Sequence, residues 1–110
     1  MDSKFDLKYT EKSLVDLDGI FNYISNVLKN LNAALNLSNK MQSSINNLCI
    51  FPRIGSSIEN NFILDNNIKK IVVDNYSIIY YADFIGKRII IIRVINNKMD
   101  INEILKSLDF

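Results

Sequence analysis

The sequence predicts an α+β domain in which a long helical hairpin packs on a mostly antiparallel sheet. Three observations carry this. The chain opens with a short period-2 stretch, helical periodicity then holds from Leu14 to Leu48, and three β-rich runs fill residues 68–95. A length of 110 residues, with three Gly and one Pro, suits a single domain over 1–110 rather than a linker-rich chain.

Phe5, Leu7 and Tyr9 alternate with polar residues, the pattern of a half-buried strand. Thr10 and Ser13 then offer helix caps, with Ser13-x-x-Asp16 as a capping-box variant. Leu14, Leu17, Ile20, Phe21, Ile24, Val27, Leu28 and Leu31 recur at helical spacing, so one helix is expected to run to the break at Asn30 and Asn32. A second helix comes next, with Ala33, Ala34, Leu37, Met41, Ile45 and Leu48 on one stripe, and Pro52 and Gly55 stop it. The short joint forces an antiparallel hairpin.

Residues 56–67 are polar and unpatterned, and read as a loop. Ile68–Val73, Tyr76–Phe84 and Arg88–Ile95 are rich in β-branched and aromatic residues and read as strands. Asp74-Asn75 and Ile85-Gly86-Lys87 form the turns, with Gly86 expected to supply a positive φ. The unbroken run Ile89–Ile92 suggests a central strand covered on both faces. Asp100-x-x-Glu103 starts a short last helix with Ile101, Ile104, Leu105 and Leu108 on its apolar side. The predicted order is β-α-α-β-β-β-α.

Composition excludes several chemistries. There is no histidine and only Cys49, so neither a zinc site nor a Cys/His pair is expected, and no metal or cofactor is implied. Cys49 reads as a buried small hydrophobe in a reducing compartment. No apolar run is long enough for a membrane span, and the charged N-terminus does not read as a signal peptide, so the expected location is cytoplasmic. Gly-rich phosphate loops and nucleophile elbows are missing. Asp16 and Asp18 stand two apart on a helix and do not face each other, which argues against a paired-carboxylate site.

The net charge of +1 hides segregation, because residues 69–98 hold six cations against two acids. If Lys69, Lys70, Arg93 and Lys98 shared a face with Tyr76, Tyr80 and Tyr81, they could hold phosphates and stack on a base. Such a set could cleave RNA through the ribose 2′-OH without histidine. The plainer alternative is a solvated sheet face whose tyrosines anchor the core.

Five segments in order resemble the RelE/ParE superfamily of type II toxin–antitoxin toxins. Asp18 to Ile24 sits where that family carries DL-x-x-I-x-x-YI, and Asn32-Ala33-Ala34 resembles the opening of its second helix. Leu48-x-x-Phe51-Pro52-x-x-Gly55, the run from Lys70 to Tyr80, and Ile92-Arg93-Val94-Ile95 with Asp100 complete the match.

The resemblance implies a growth-inhibiting toxin, often tied to plasmid stabilization and neutralised by a cognate antitoxin, as a hetero-oligomer or with a toxin homodimer. Its targets would be DNA gyrase, for ParE-like members, or ribosome-bound mRNA, for RelE-like mRNA interferases. Asn96 stands where a histidine is common, Ser77 where an arginine is common, and no tyrosine occurs after Tyr81, so the departures fit the ParE-like branch better. In a RelE-like enzyme the catalytic residues would be Lys70, Arg93 and Lys98, although Arg93 could instead pair with a carboxylate such as Asp100. Ile101, Ile104, Leu105 and Leu108 would form an exposed antitoxin-docking edge, the alternative being that the last helix closes the core.

Overall fold

The computed structural model describes residues 4–58 and 67–106. Strand β1 (Asp6–Tyr9) leads into helix α1 (Glu11–Asn22), a π-helical turn (Tyr23–Val27) and helix α2 (Leu31–Ile50). Strands β2 (Ser56–Ser57), β3 (Ile68–Val73), β4 (Tyr76–Asp83) and β5 (Arg88–Asn96) come after them, and helix α3 (Ile101–Leu105) ends the described chain. The two-residue β2 lies within the segment expected to be a loop. It is held by pairing of Ser56 with Lys70 and Ser57 with Lys69, a contact that no local pattern announces.

The sheet order is β1-β5-β4-β3-β2, antiparallel throughout except for the parallel β1–β5 pair. The expected fold is the one observed: a helical hairpin on a mostly antiparallel sheet. The run Ile89–Ile92 does form an inner strand. Ile89 and Ile91 face the hairpin, whereas Ile92 and Ile95 face α3.

Ile91 and Val94 both face the hairpin although they stand an odd number of residues apart. A bulge opposite Ile79 and Tyr80 absorbs the extra residue and resets the alternation.

α2 presents Ala34, Leu37, Met41, Ile45 and Leu48 to the sheet, as their spacing predicts. α1 departs from expectation. Of the two caps the sequence offers, Thr10 is the one used, its hydroxyl accepting from Ser13 N–H at 3.1 Å, and the Ser13-x-x-Asp16 box does not form. Past Tyr23 the bonding widens, with Leu28 N–H donating to Tyr23 C=O at 3.0 Å. Each residue inserted in this way rotates the downstream helix face by roughly 100°. Val27 and Leu28, expected on the core stripe, therefore face outward, and Leu31, expected there too, is exposed at the start of α2. Lys29 takes a left-handed φ of 53° and Asn30 N–H reaches back to Ile24 C=O at 3.1 Å, which closes the turn.

In the β4–β5 turn the positive φ falls on Lys87 (54°), not on Gly86. Gly86 is needed for closeness instead: a Cβ there would lie 2.6 Å from Asp83 Oδ2. The Asp83 carboxylate accepts from Gly86 N–H at 2.9 Å and from Arg88 at 3.0 Å.

Tyr80 ties the sheet to the loop after α2. Its ring is fully buried, its hydroxyl donates to Pro52 C=O at 2.9 Å and accepts from Gly55 N–H at 3.0 Å. A Cβ on Gly55 would strike that hydroxyl and come within 2.8 Å of Lys70 C=O. The Pro-x-x-Gly spacing is thus a socket for one tyrosine, and the ring is unavailable for stacking on a base. Tyr76 and Tyr81 are half-buried on opposite sides of the sheet.

The socket can be tested in two ways. Tyr80→Phe leaves Pro52 C=O and Gly55 N–H without their partner and should cost about 1–3 kcal/mol in urea denaturation, with Gly55→Ala at least as damaging. Burial raises the Tyr80 phenol above its ordinary 10.0, and Tyr9 shifts in the same direction. The unfolded chain releases these protons first, so stability is full below about pH 10 and declines as pH rises beyond it. That alkaline decline should be shallower in Tyr80→Phe, measured by melting temperature against pH.

Candidate functional site

β1 ends opposite Ile91, so the edge of β5 beyond that point has lost its neighbouring strand. Two side chains from the start of α1 replace it. Thr10 N–H donates to Ile91 C=O at 3.0 Å and its hydroxyl donates to Ile92 C=O at 2.8 Å. Asp16, about one and a half turns into the helix, accepts from Val94 N–H at 2.9 Å.

The same carboxylate holds Arg93 in a two-pronged ion pair, Nε to Oδ2 at 2.7 Å and Nη2 to Oδ1 at 3.0 Å. Both side chains are mostly buried, at 17% and 15% exposure. The Asp16 hydrogen bond raises the Arg93 pKa, against an opposing effect of burial. Arg93 therefore pairs with Asp16 of α1, and Asp100 instead caps α3 by accepting from Asn102 N–H at 3.0 Å. Asp16 itself is no part of an N-terminal capping box.

Lys70 lies elsewhere. It projects from β3 on the α3 side of the sheet and lines a cleft of about 330 Å³ with Val72, Ser77, Ile95, Asn96, Asn97, Met99 and Ile101. Ser77 is buried and its hydroxyl bonds Asn97 Oδ1. Arg93 lines a separate hollow of about 360 Å³ against α1, which shares Ile95, Asn96 and Met99 with the cleft. Lys98 sits on the exposed turn between β5 and α3 and lines neither.

The three candidate cations are thus not brought together, and only Lys70 lines the cleft. Among the described residues that line it, Lys70 is the sole ionisable side chain. Lys69 turns to the other side and contacts the Ser57 hydroxyl at 3.4 Å, and Arg88 is engaged with Asp83. The cations of residues 69–98 do not form one face.

On α3, Ile104 and Leu105 are buried against Ile79, Ile92 and Ile95, with Ile101 half-buried at the rim. The strip expected to be exposed is packed on the sheet, because the α3 side of β5 is itself apolar and needs a cover. Leu108 lies outside the described residues. Cys49 is buried, as its place on the helical stripe implies, and burial raises its thiol pKa. The described residues contain no cluster able to hold a metal ion, and no helix among them is long and apolar enough to cross a membrane.

Sequence reasoning missed Asp16 as the partner of Arg93. The two are 77 positions apart, and no local pattern links them. Asp16→Ala should destabilise the chain by about 2–4 kcal/mol, since it strands a mostly buried guanidinium and an edge N–H. Asp16→Asn keeps an acceptor for Val94 and should cost less. Arg93→Lys should rescue poorly, because one ammonium cannot reproduce the forked geometry. Chemical denaturation of the variants measures all three.

The sequence model of the family described as "ParE toxin of type II toxin-antitoxin system, parDE" matches residues 7–101, which span β1 to the start of α3. None of the curated proteins matches the chain. Among solved structures, a chain of the chromosomal ParDE system from P. aeruginosa superposes with a TM-score of 0.66 at 21% identity, covering 86% of this chain and 98% of that one. A chain of the RelBE2 toxin–antitoxin complex from Mycobacterium tuberculosis superposes at 0.55 with 17% identity, covering 84% and 98%. These likenesses are of fold, and the family match spans most of the sequence. The chain belongs to the ParE toxin family of type II toxin–antitoxin systems.

Proposed function

We propose that the protein is a ParE-like toxin that binds and poisons DNA gyrase in the cytoplasm, cutting no bond itself, and that a cognate antitoxin neutralises it. The observation that carries this reading is the chemistry of the Lys70 cleft. Cleavage of RNA through the 2′-OH needs a base, an acid and a cation for the phosphorane charge. The described lining supplies Lys70 and otherwise only hydroxyl, amide and apolar groups. Arg93, the second candidate, is held by Asp16. The family match to ParE toxins and the P. aeruginosa ParDE likeness support the same branch.

The second reading, a ribosome-dependent mRNA endonuclease, draws on that same Lys70 at a polar cleft and on the fold likeness to RelBE2. There the ribosome would have to supply the missing acid or base. For the antitoxin, the proposed docking edge remains α3. Ile101, half-buried at the rim, is its accessible apolar side chain, since Ile104 and Leu105 are packed on the sheet.

Induction in cells separates the readings when DNA breaks and mRNA integrity are monitored in parallel. The gyrase reading expects DNA breaks with intact mRNA, and Lys70→Ala retaining most of the toxicity. Cleaved mRNA, with Lys70→Ala losing about 100- to 1000-fold in cleavage rate while staying folded, would reverse the assignment.

A further inference from the structure

The polar groups that line the Lys70 cleft are unevenly used. Asn96 Oδ1 accepts from Lys98 N–H at 2.9 Å, and Asn97 Oδ1 accepts from the buried Ser77 hydroxyl. A backbone N–H can meet only the oxygen of a carboxamide, so the Asn96 side chain has one orientation. Asn97 is held a second time, its N–H donating to Asn75 C=O at 2.8 Å, and Met99 N–H closes the turn on Asn96 C=O at 3.0 Å. Both carboxamide oxygens are therefore occupied within the chain. Their NH2 groups are the ends left over.

Lys70 completes the set. It is half-buried, and its ammonium makes no hydrogen bond or ion pair with a described residue. The described lining contains no acid. Its side chains thus present one ammonium and two carboxamide donors, with only the Ser77 oxygen among them as an acceptor. Beside these donors the cleft is apolar, with Val72 at 58% exposure, Met99 at 49%, and Ile95 and the half-buried Ile101.

We propose that the cleft receives a single carboxylate carried on an apolar peptide segment, an Asp or Glu side chain of a protein partner whose aliphatic neighbours rest on Val72, Met99 and Ile101. A carboxylate offers two oxygens and about four lone-pair sites, which suits one ammonium and two amide donors. Charge and shape disfavour a nucleic acid here. A single strand is held by a cationic groove along its backbone and by aromatic rings under its bases, whereas this lining has one cation and no aromatic ring. Lys69 faces the other side of the sheet and Arg93 is committed to Asp16. On the reading in which Lys70 is dispensable for toxicity, on which this last assignment rests, the partner is the antitoxin rather than gyrase. Ile101 then joins the cleft to the rim of α3 in one contact.

NMR titration of the isotope-labelled full chain tests the site. The probes are the peptide acetyl-Leu-Glu-Leu-amide, its Gln counterpart and a short oligouridylate. The Glu peptide should shift the Ser77, Asn96 and Asn97 signals, and the Gln peptide should bind about tenfold more weakly. Lys70→Met should lose a similar factor at an unchanged melting temperature. Asn97→Asp should lose at least as much, because it keeps an oxygen for Ser77 and puts a negative charge where the NH2 was. If Asn97→Asp perturbs folding, Lys70→Met decides. A Glu peptide that binds no better than the Gln peptide overturns the proposal, as does Lys70→Met with undiminished binding. Oligouridylate binding more tightly than the Glu peptide at the same signals also overturns it and assigns the cleft to nucleic acid. The gyrase reading fails separately, through cleaved mRNA on induction. A Glu-selective cleft in such a protein would keep the carboxylate site and remove only the choice of the antitoxin as its source.

Discussion

The open edge of β5 past Ile91 is the constraint around which the rest is arranged. A central strand cannot leave ladder groups unpaired beside an apolar core without a cost of about 1–3 kcal/mol for each. β1 is too short to cover the whole of β5. The chain therefore turns into α1 at the point where the strand runs out, and Thr10 and Asp16 take over the pairing. That fixes where α1 starts, how it leans on the sheet and which residue Arg93 must face. The bulge in β5 serves the same junction, since it lets Ile91 and Val94 both reach the hairpin side across the Arg93 position.

Much of the fold was legible because it depends on local period. The α2 stripe, the three long strands and the inner position of β5 each repeat a pattern along an extended stretch of chain. Legibility failed where one residue changes the phase. The π-helical turn at Tyr23 swings Val27 and Leu28 away from the core, and nothing in their own periodicity signals it. The two-residue β2 and the left-handed Lys87 are set by partners, not by their neighbours in sequence. The resemblance to a toxin family located the right segments. It could not say that Pro52 and Gly55 are spaced for the Tyr80 hydroxyl, or that Arg93 answers to Asp16.

The candidate site was less legible for a related reason. Cations counted along residues 69–98 look like one basic surface, but strand alternation sends Lys69 and Lys70 to opposite sides, and Asp83 and Asp16 occupy Arg88 and Arg93. In the cleft lined by Ser77, Asn96 and Asn97 only one of these cations, Lys70, takes part. Charge that survives pairing, rather than charge present in the sequence, is the quantity relevant to an anionic partner.

The parallel pairing of β1 with β5 has a consequence for synthesis. Leu7 aligns with Ile89, and the Thr10 hydroxyl meets a carbonyl 82 positions away. A nascent chain must therefore keep its first strand waiting until almost all of the protein has left the ribosome, since contacts this distant form late and slowly. A polypeptide interrupted before β5 lacks the strand that joins β1 to β4, so truncated products lack the toxin's architecture. The completed ParE-family chain acquires it only as the last strand arrives, and any factor that captures the emerging hairpin has the whole of that interval in which to act.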